Sequence, residues 1–264
     1  MPIVVRYNLN IESLRYVNRS EDDNLEDTIS RFSKLIESLH ENEKIFFGSE
    51  IWEMEIEDGK YLYDLDMSND HGALLFKTFR KPSNFPAAIS YIYNLDFYKT
   101  VNNYIYDKTT KQKALRSVIS SLTDVDKYIE LMPIVFDNLL FSTIVPSIMK
   151  HHYRPFHDFY IHITKHLETL NEYALEIYNE HQPNEEHKMC SKLGTKGSFG
   201  CSLESGRPNP DAHTFSFNGV KAECYPHTKL IHDGTDHRIY FKWNDSQIQN
   251  GTKTLVGHIG GHIR

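Results

Sequence analysis

His213-Thr-Phe-Ser-Phe217, Asn218-Gly219 and Val220-Lys-Ala-Glu-Cys-Tyr225 decide the reading of the fold. Asn-Gly between two alternating segments is the strongest short hairpin signal, because both residues tolerate the positive φ of a type I′ turn. A third strand follows at His237-Arg-Ile-Tyr-Phe-Lys-Trp243, with Ile239, Phe241 and Trp243 on one face and Arg238, Tyr240 and Lys242 on the other. The last strand, residues 253–263, is expected to put Leu255 and Ile259 on one face and Val256, His258 and His262 on the other. The product is a small antiparallel sheet with one core face and one open polar face.

Working outward, residues 181–212 hold four glycines and three prolines with little hydrophobic periodicity, which reads as a linker or long surface loop. Upstream, residues 155–180 form the most regular helix pattern: Phe156, Tyr160, Ile163, Leu167, Leu170, Ala174 and Ile177 step by four and three. Helical spacing also covers residues 113–122 and 125–150, with kinks expected at Pro133 and Pro146. The apolar run 131–149 is broken by Asp137, Asn138 and two prolines, so it reads as a buried helix pair rather than a membrane span. Leu25, Ile29, Phe32, Ile36 and Leu39 recur on one helical face after a capping signal at Ser20. Asp58-Gly59 closes a hairpin over residues 51–65, which would pair Ile56 with Tyr61, Met54 with Tyr63 and Trp52 with Leu65. A further strand is read at residues 73–79. The choice between helix and strand stays open for residues 1–20. The expected class is α+β: a mainly helical part at 1–180 with a hairpin near 50–66, a linker at 181–212 and a sheet domain at 213–264.

The chain has 264 residues, and 39% of them are apolar, enough to bury a real core. The net charge of −7 is uneven. From His213 onward six Lys/Arg face four Asp/Glu, whereas the preceding part carries 23 Lys/Arg against 32 Asp/Glu. The acidic part argues against nonspecific coating of DNA, while the terminal sheet can still meet a phosphate backbone. The three cysteines cannot close a disulfide framework, and residues 1–6 lack the pattern of a signal peptide. A reducing cytoplasm and no membrane association are expected.

Three histidine groupings carry potential chemistry. His151, His152 and His157 flank the long helix, and His162 and His166 lie four apart on it, a spacing that lets two imidazoles share a metal. Without the acid of a His-Glu-x-x-His motif, solvated or hydrogen-bonded surface residues explain them more simply. His187, Cys190, Cys201 and His213 supply four zinc-compatible donors, but their spacing is irregular and lacks a Cys-x-x-Cys knuckle; reduced loop cysteines are the simpler account. The third grouping is the open sheet face: Lys221, Glu223, Tyr225, Arg238, Tyr240, Lys242 and His258, with His227 and His262 near strand ends. Cleavage of RNA through its 2′-hydroxyl needs a base, an acid and a cation at the scissile phosphate, and these residue types supply all three without metal. A merely solvated sheet face shows the same alternation.

The ending, His237-Arg-Ile-Tyr-Phe-Lys-Trp243 followed by Thr254-Leu-Val-Gly-His-Ile-Gly-Gly-His262, resembles the closing β-meander of RelE/ParE-type toxins over about one fifth of the chain. In ribosome-dependent members of that family, basic, aromatic and histidine residues on the concave sheet cut mRNA. The resemblance implies that role for Arg238, Tyr240, Lys242, His258 and His262. The chain departs from those small basic toxins in its long acidic front part and in its Asn218-Gly219 hairpin.

The expectation is therefore a bacterial cytoplasmic protein acting as a metal-independent ribonuclease or toxin-like effector, a hydrolase of RNA. His258, Arg238, Tyr240, Lys242, His262 and Glu223 would be catalytic, Lys221 and His227 would bind RNA, and neither metal nor cofactor is called for. The alternative is a non-catalytic RNA- or protein-binding component of a toxin–antitoxin or phage-defence (antiviral) assembly. A metal-dependent nuclease built from the histidines and acids is a third reading. Walker, dinucleotide-binding, nucleophile-elbow and zincin motifs are absent from the sequence.

Overall fold

The computed structural model describes residues 4–8, 34, 39, 43–46, 55–57, 60–61, 92–93, 108–151, 156, 159–204, 209–230 and 236–263. The chain divides into two compact units, Met1–Val118 and Ile119–Arg264.

In the first unit, β1 (Val4–Asn8) lies parallel between β2 (Glu43–Phe46) and the short β5 (Ile92–Tyr93), so the open choice for residues 1–20 resolves to a strand at its start. Between them in sequence, β3 (Glu55–Glu57) and β4 (Lys60–Tyr61) form the hairpin expected at Asp58-Gly59. Glu57 pairs with Lys60 as a two-residue turn requires, but the ladder then shifts so that Glu55, not Ile56, faces Tyr61. The further pairs expected from Met54 and Trp52 and the strand at 73–79 lie outside the described residues, as does the helix at 25–39 apart from Lys34, which is helical, and Leu39, which is not. α1 (Lys108–Ile119) carries Lys111, whose Nζ donates to both oxygens of Glu43 at 3.0 and 2.9 Å. This ion pair is buried, with side chains 5% and 1% exposed.

The second unit holds the site. α2 (Val125–Val135) starts where Asp124 Oδ1 accepts from the amides of Asp126 and Lys127, satisfying two orphan donors. Pro133 is accommodated inside this helix, and α3 (Val145–Lys150) carries Pro146 at its first turn. The expected helix pair is present, but β6 (Leu139–Phe141) lies between its members. α4 (Tyr160–Glu180) buries Ile163, Leu167, Leu170, Ala174 and Ile177, the face that the spacing marks. Its buried polar residues stitch it to its neighbours: Thr164 Oγ1 to Tyr128 Oη at 2.8 Å, Asn171 Oδ1 to the Asn138 amide at 2.8 Å, and His166 Nδ1 to Thr228 Oγ1 at 2.8 Å.

The segment expected as a linker has regular structure: α5 (Glu186–Gly197) buries Met189, Cys190 and Leu193, and β7 (Gly200–Ser202) joins a sheet. Its glycines allow close packing here, since a Cβ on Gly197 would stand 2.0 Å from the Phe199 ring, which stacks on His166. α6 (Pro210–His213) then leads into the hairpin of β8 (Thr214–Phe217) and β9 (Val220–Glu223). Asn218 and Gly219 have φ of 50° and 87°, and Phe217 pairs with Val220, as a two-residue type I′ turn demands.

β10 (His227–Leu230), β11 (His237–Lys242) and β12 (Thr254–Gly261) complete a mixed five-stranded sheet in the order β6-β12-β11-β10-β7, with only the β6–β12 pair parallel. Helices and sheets together place the protein in the α+β class. Among the described residues, no helix is long and apolar enough to cross a membrane.

Antiparallel partners share a face. Ile239 and Phe241, with Thr228, Leu230 and Ile259, face the side on which His166 of α4 meets Thr228. The opposite side carries Arg238, Tyr240, His227 and His258, and it is not simply open. The β8–β9 hairpin closes over its middle, so that Phe215, Phe217, Ala222 and Cys224 form one cluster with Tyr240, Ile248 and Leu255. A bulge corrects the expected alternation of the last strand: His258 faces Tyr240, Val256 faces Phe241, and Gly257 is the extra residue between. Leu255 therefore joins the side of Tyr240, and Val256 leaves the side of His258. Gly257 is required there, because a Cβ would lie 2.4 Å from the Phe215 ring and 2.9 Å from Cys224 Sγ.

Candidate functional site

Beyond the edge of the hairpin, the polar side chains of this sheet face converge on Glu204, two residues past the end of β7. Tyr240 Oη donates to Glu204 Oε2 at 3.1 Å, and His262 Nε2 lies 3.4 Å from Oε1. Arg238 Nη1 and His227 Nδ1 each stand 3.7 Å from Oε2, with His213 Nε2 at 4.0 Å. A second carboxylate, Asp236, accepts from Arg238 Nη2 at 3.0 Å and lies 3.2 Å from His262 Nδ1. The carboxylate is half-sheltered at 11% exposure, while the rings of His213 and His227 are buried at 2%.

Burial works to raise the Glu204 carboxyl. The hydrogen bonds from Tyr240 and His262 and the neighbouring His227 and His262 outweigh it and hold the group below its ordinary value. Burial pushes the Tyr240 phenol up to about 12, with Glu204 adding to the rise. Desolvation likewise drives His227 down to about 4; the Tyr225 carbonyl bond opposes this and Arg238 reinforces it. His227 is thus neutral at neutral pH.

The ring orientations are fixed by backbone carbonyls, which only accept. His213 Nδ1 faces the Asn209 carbonyl at 3.0 Å and His227 Nδ1 faces that of Tyr225 at 3.3 Å, so both rings carry their hydrogen on Nδ1. His227 Nε2 then accepts from Ser202 Oγ at 3.0 Å. His213 Nε2 is buried without a hydrogen-bond partner, and the feature it faces is Glu204.

Of the expected site residues, Arg238, Tyr240, His262 and His227 come together here. His258 contacts the Tyr240 ring edge-on at 5.8 Å between centroids, but its Nε2 donates to the Gly261 carbonyl at 3.0 Å. Lys242 lies past the bulge and pairs with Asp245 at 2.7 Å. Glu223 accepts from Tyr225, and Glu223 and Lys221 are exposed on β9. The zinc-compatible set does not assemble: Cys190 and Cys201 are free thiols joined by a hydrogen bond, whereas His213 turns to Glu204. Among the described residues no three His, Cys, Asp or Glu groups are arranged to hold a metal. Sequence reasoning missed Glu204, Asp236 and Ser202. Glu204 and Ser202 sit in the aperiodic stretch before the sheet, and only strand pairing brings them to the histidines.

No protein-family description, curated protein or solved structure matches the chain.

Proposed function

We propose that the second unit cleaves RNA phosphodiester bonds without a metal, at the site centred on Glu204. The observation that carries this reading is the ring of Tyr240, His262, Arg238, His227 and His213 within 4.0 Å of one carboxylate. Phosphoryl transfer needs a base for the attacking oxygen, an acid for the leaving oxygen and a cation for the developing charge. Neutral His227 is the base. His227 returns the proton it takes to the leaving oxygen, His262 is the most accessible ring of the group at 21% exposure, and Arg238 faces the phosphate. The resemblance of β11 and β12 to the closing strands of RelE/ParE-type toxins supports RNA as the substrate. In this arrangement His258 positions Tyr240 and does not transfer the proton.

One observation favours a second reading, a non-catalytic RNA- or protein-binding module: Arg238 is already shared by Glu204 and Asp236. A single-stranded RNA oligonucleotide incubated with the purified protein in excess chelator separates the two. Cleavage that falls about a hundredfold in Glu204→Gln and His227→Gln, each melting like the wild type, supports the enzyme. Binding of RNA without any cleavage overturns it.

A further inference from the structure

Ser202 ends the edge strand β7, and its register partner on β10 is His227. Partners across an antiparallel ladder share a face, which is why Ser202 Oγ reaches His227 Nε2 at 3.0 Å. The direction of this bond is set at the other end of the ring: both groups near Nδ1, the Tyr225 carbonyl at 3.3 Å and Glu204 Oε2 at 3.7 Å, accept hydrogen. Nε2 is therefore the acceptor and the serine hydroxyl the donor. Hydroxyl, imidazole and carboxylate follow one another in the order that activates an oxygen nucleophile. Ser202 itself is partly exposed, unlike the buried His227 ring beside it.

We infer that Ser202 is a covalent nucleophile, activated by His227 and Glu204, and that the site cuts phosphodiesters through a phosphoserine intermediate. The substrate class rests on the RNA reading above; the nucleophile rests on the geometry of the three side chains. In the first step Ser202 Oγ bonds to phosphorus and gives its proton to His227 Nε2, while Glu204 stabilises the imidazolium. The bond from phosphorus to the leaving sugar oxygen breaks, and that oxygen takes the proton. In the second step water gives a proton to Nε2 and attacks phosphorus, and Ser202 Oγ leaves with that proton. One water is added across one P–O bond. Lys229 and Arg238, register partners on the same face, supply positive charge for the phosphate.

Because the attacking oxygen belongs to the protein, a 2′-hydroxyl is not needed. The test uses the full chain with RNA, with the same sequence fully 2′-O-methylated, and with a fluorophosphonate probe that labels activated serines whatever the substrate. Expected are labelling at Ser202, cleavage of both oligonucleotides within a fewfold of each other, and loss of both in Ser202→Ala. His227→Gln should abolish labelling while leaving Ser202 in place. Cleavage of RNA alone by a Ser202→Ala protein overturns the nucleophile and leaves the RNA reading standing. Labelling of Ser202 without cleavage of either oligonucleotide overturns the RNA reading and supports the nucleophile. A folded wild type that is neither labelled nor trapped as a phosphoserine adduct after acid quench overturns the inference.

Discussion

The Tyr240 hydroxyl donates to Glu204 Oε2 at 3.1 Å and accepts from the Ile263 amide at 3.3 Å, tying the site carboxylate to the segment that follows the last strand. Tyr240→Phe removes both bonds while keeping the ring in its cluster. The expected loss is about 1–2 kcal/mol near pH 7. Glu204 is held below its ordinary carboxyl value, so its stabilising contribution is present above that value and is lost as pH falls through the lowered one. Without the Tyr240 bond the depression shrinks, so the gap between variant and wild type should narrow on acidification. Melting temperatures from pH 7 to pH 3 read this directly; a gap independent of pH would sink it.

His166 gives a second pH dependence. Desolvation first, then Lys165 and His162, take it from 6.5 down to about 3, and its ring is stacked on Phe199 at 3.9 Å. The unfolded chain therefore binds the proton first. Stability from this group is complete above 6.5 and falls as pH drops toward 3. His166→Gln should be less stable than wild type at pH 7, through lost stacking, and should show a shallower decline between pH 6 and pH 4. Denaturant melts across that range check it; an unchanged slope counts against the assignment.

The hairpin over the sheet makes Gly257 intolerant of a side chain. Gly257→Val should destabilise the second unit by at least ~2 kcal/mol, since the added atoms meet Phe215 and Cys224. Adding Phe215→Ala opens space and should recover part of that loss relative to the sum of the single changes. Simple additivity, measured by denaturant melts, would mean that the bulge and not the hairpin contact governs this position.

Much of this architecture is legible in the sequence because it follows from local rules. Asn218-Gly219 announces its turn through backbone chemistry, and the steps from Ile163 to Ile177 announce the buried face of α4. β6 was hidden because three strand residues, Leu139–Phe141, lie inside an apolar run framed by helix patterns. Alternation places His258 on the face of Tyr240, as the strand pairing has it, but exchanges Val256 and Leu255, since an added residue at Gly257 inverts every position beyond it. The site was half legible. Arg238, Tyr240 and His262 could be read from strand alternation, whereas Glu204 and Ser202 depend on β7 pairing with β10 across a gap in sequence that no periodicity spans. Residues 181–212 looked like a linker because glycines that permit close helix–strand packing resemble glycines that permit flexibility.

Lys111 and Glu43, 68 positions apart, form a buried pair in which Nζ meets both carboxylate oxygens. Neither charge could be placed from sequence, since isolated Lys and Glu are normally solvent-facing. Removing Lys111 takes the ion-pair partner from a buried carboxylate, so Lys111→Met should cost about 3–5 kcal/mol. Glu43→Leu alone should cost a similar amount. The double variant Lys111→Met with Glu43→Leu removes both charges and fills the space with apolar groups, and it should lie within about 1–2 kcal/mol of wild type. A double-mutant cycle by denaturant unfolding of the full chain measures this coupling. A double variant as unstable as the sum of the singles would show that the two side chains contribute through packing alone and that their charges do not sense each other.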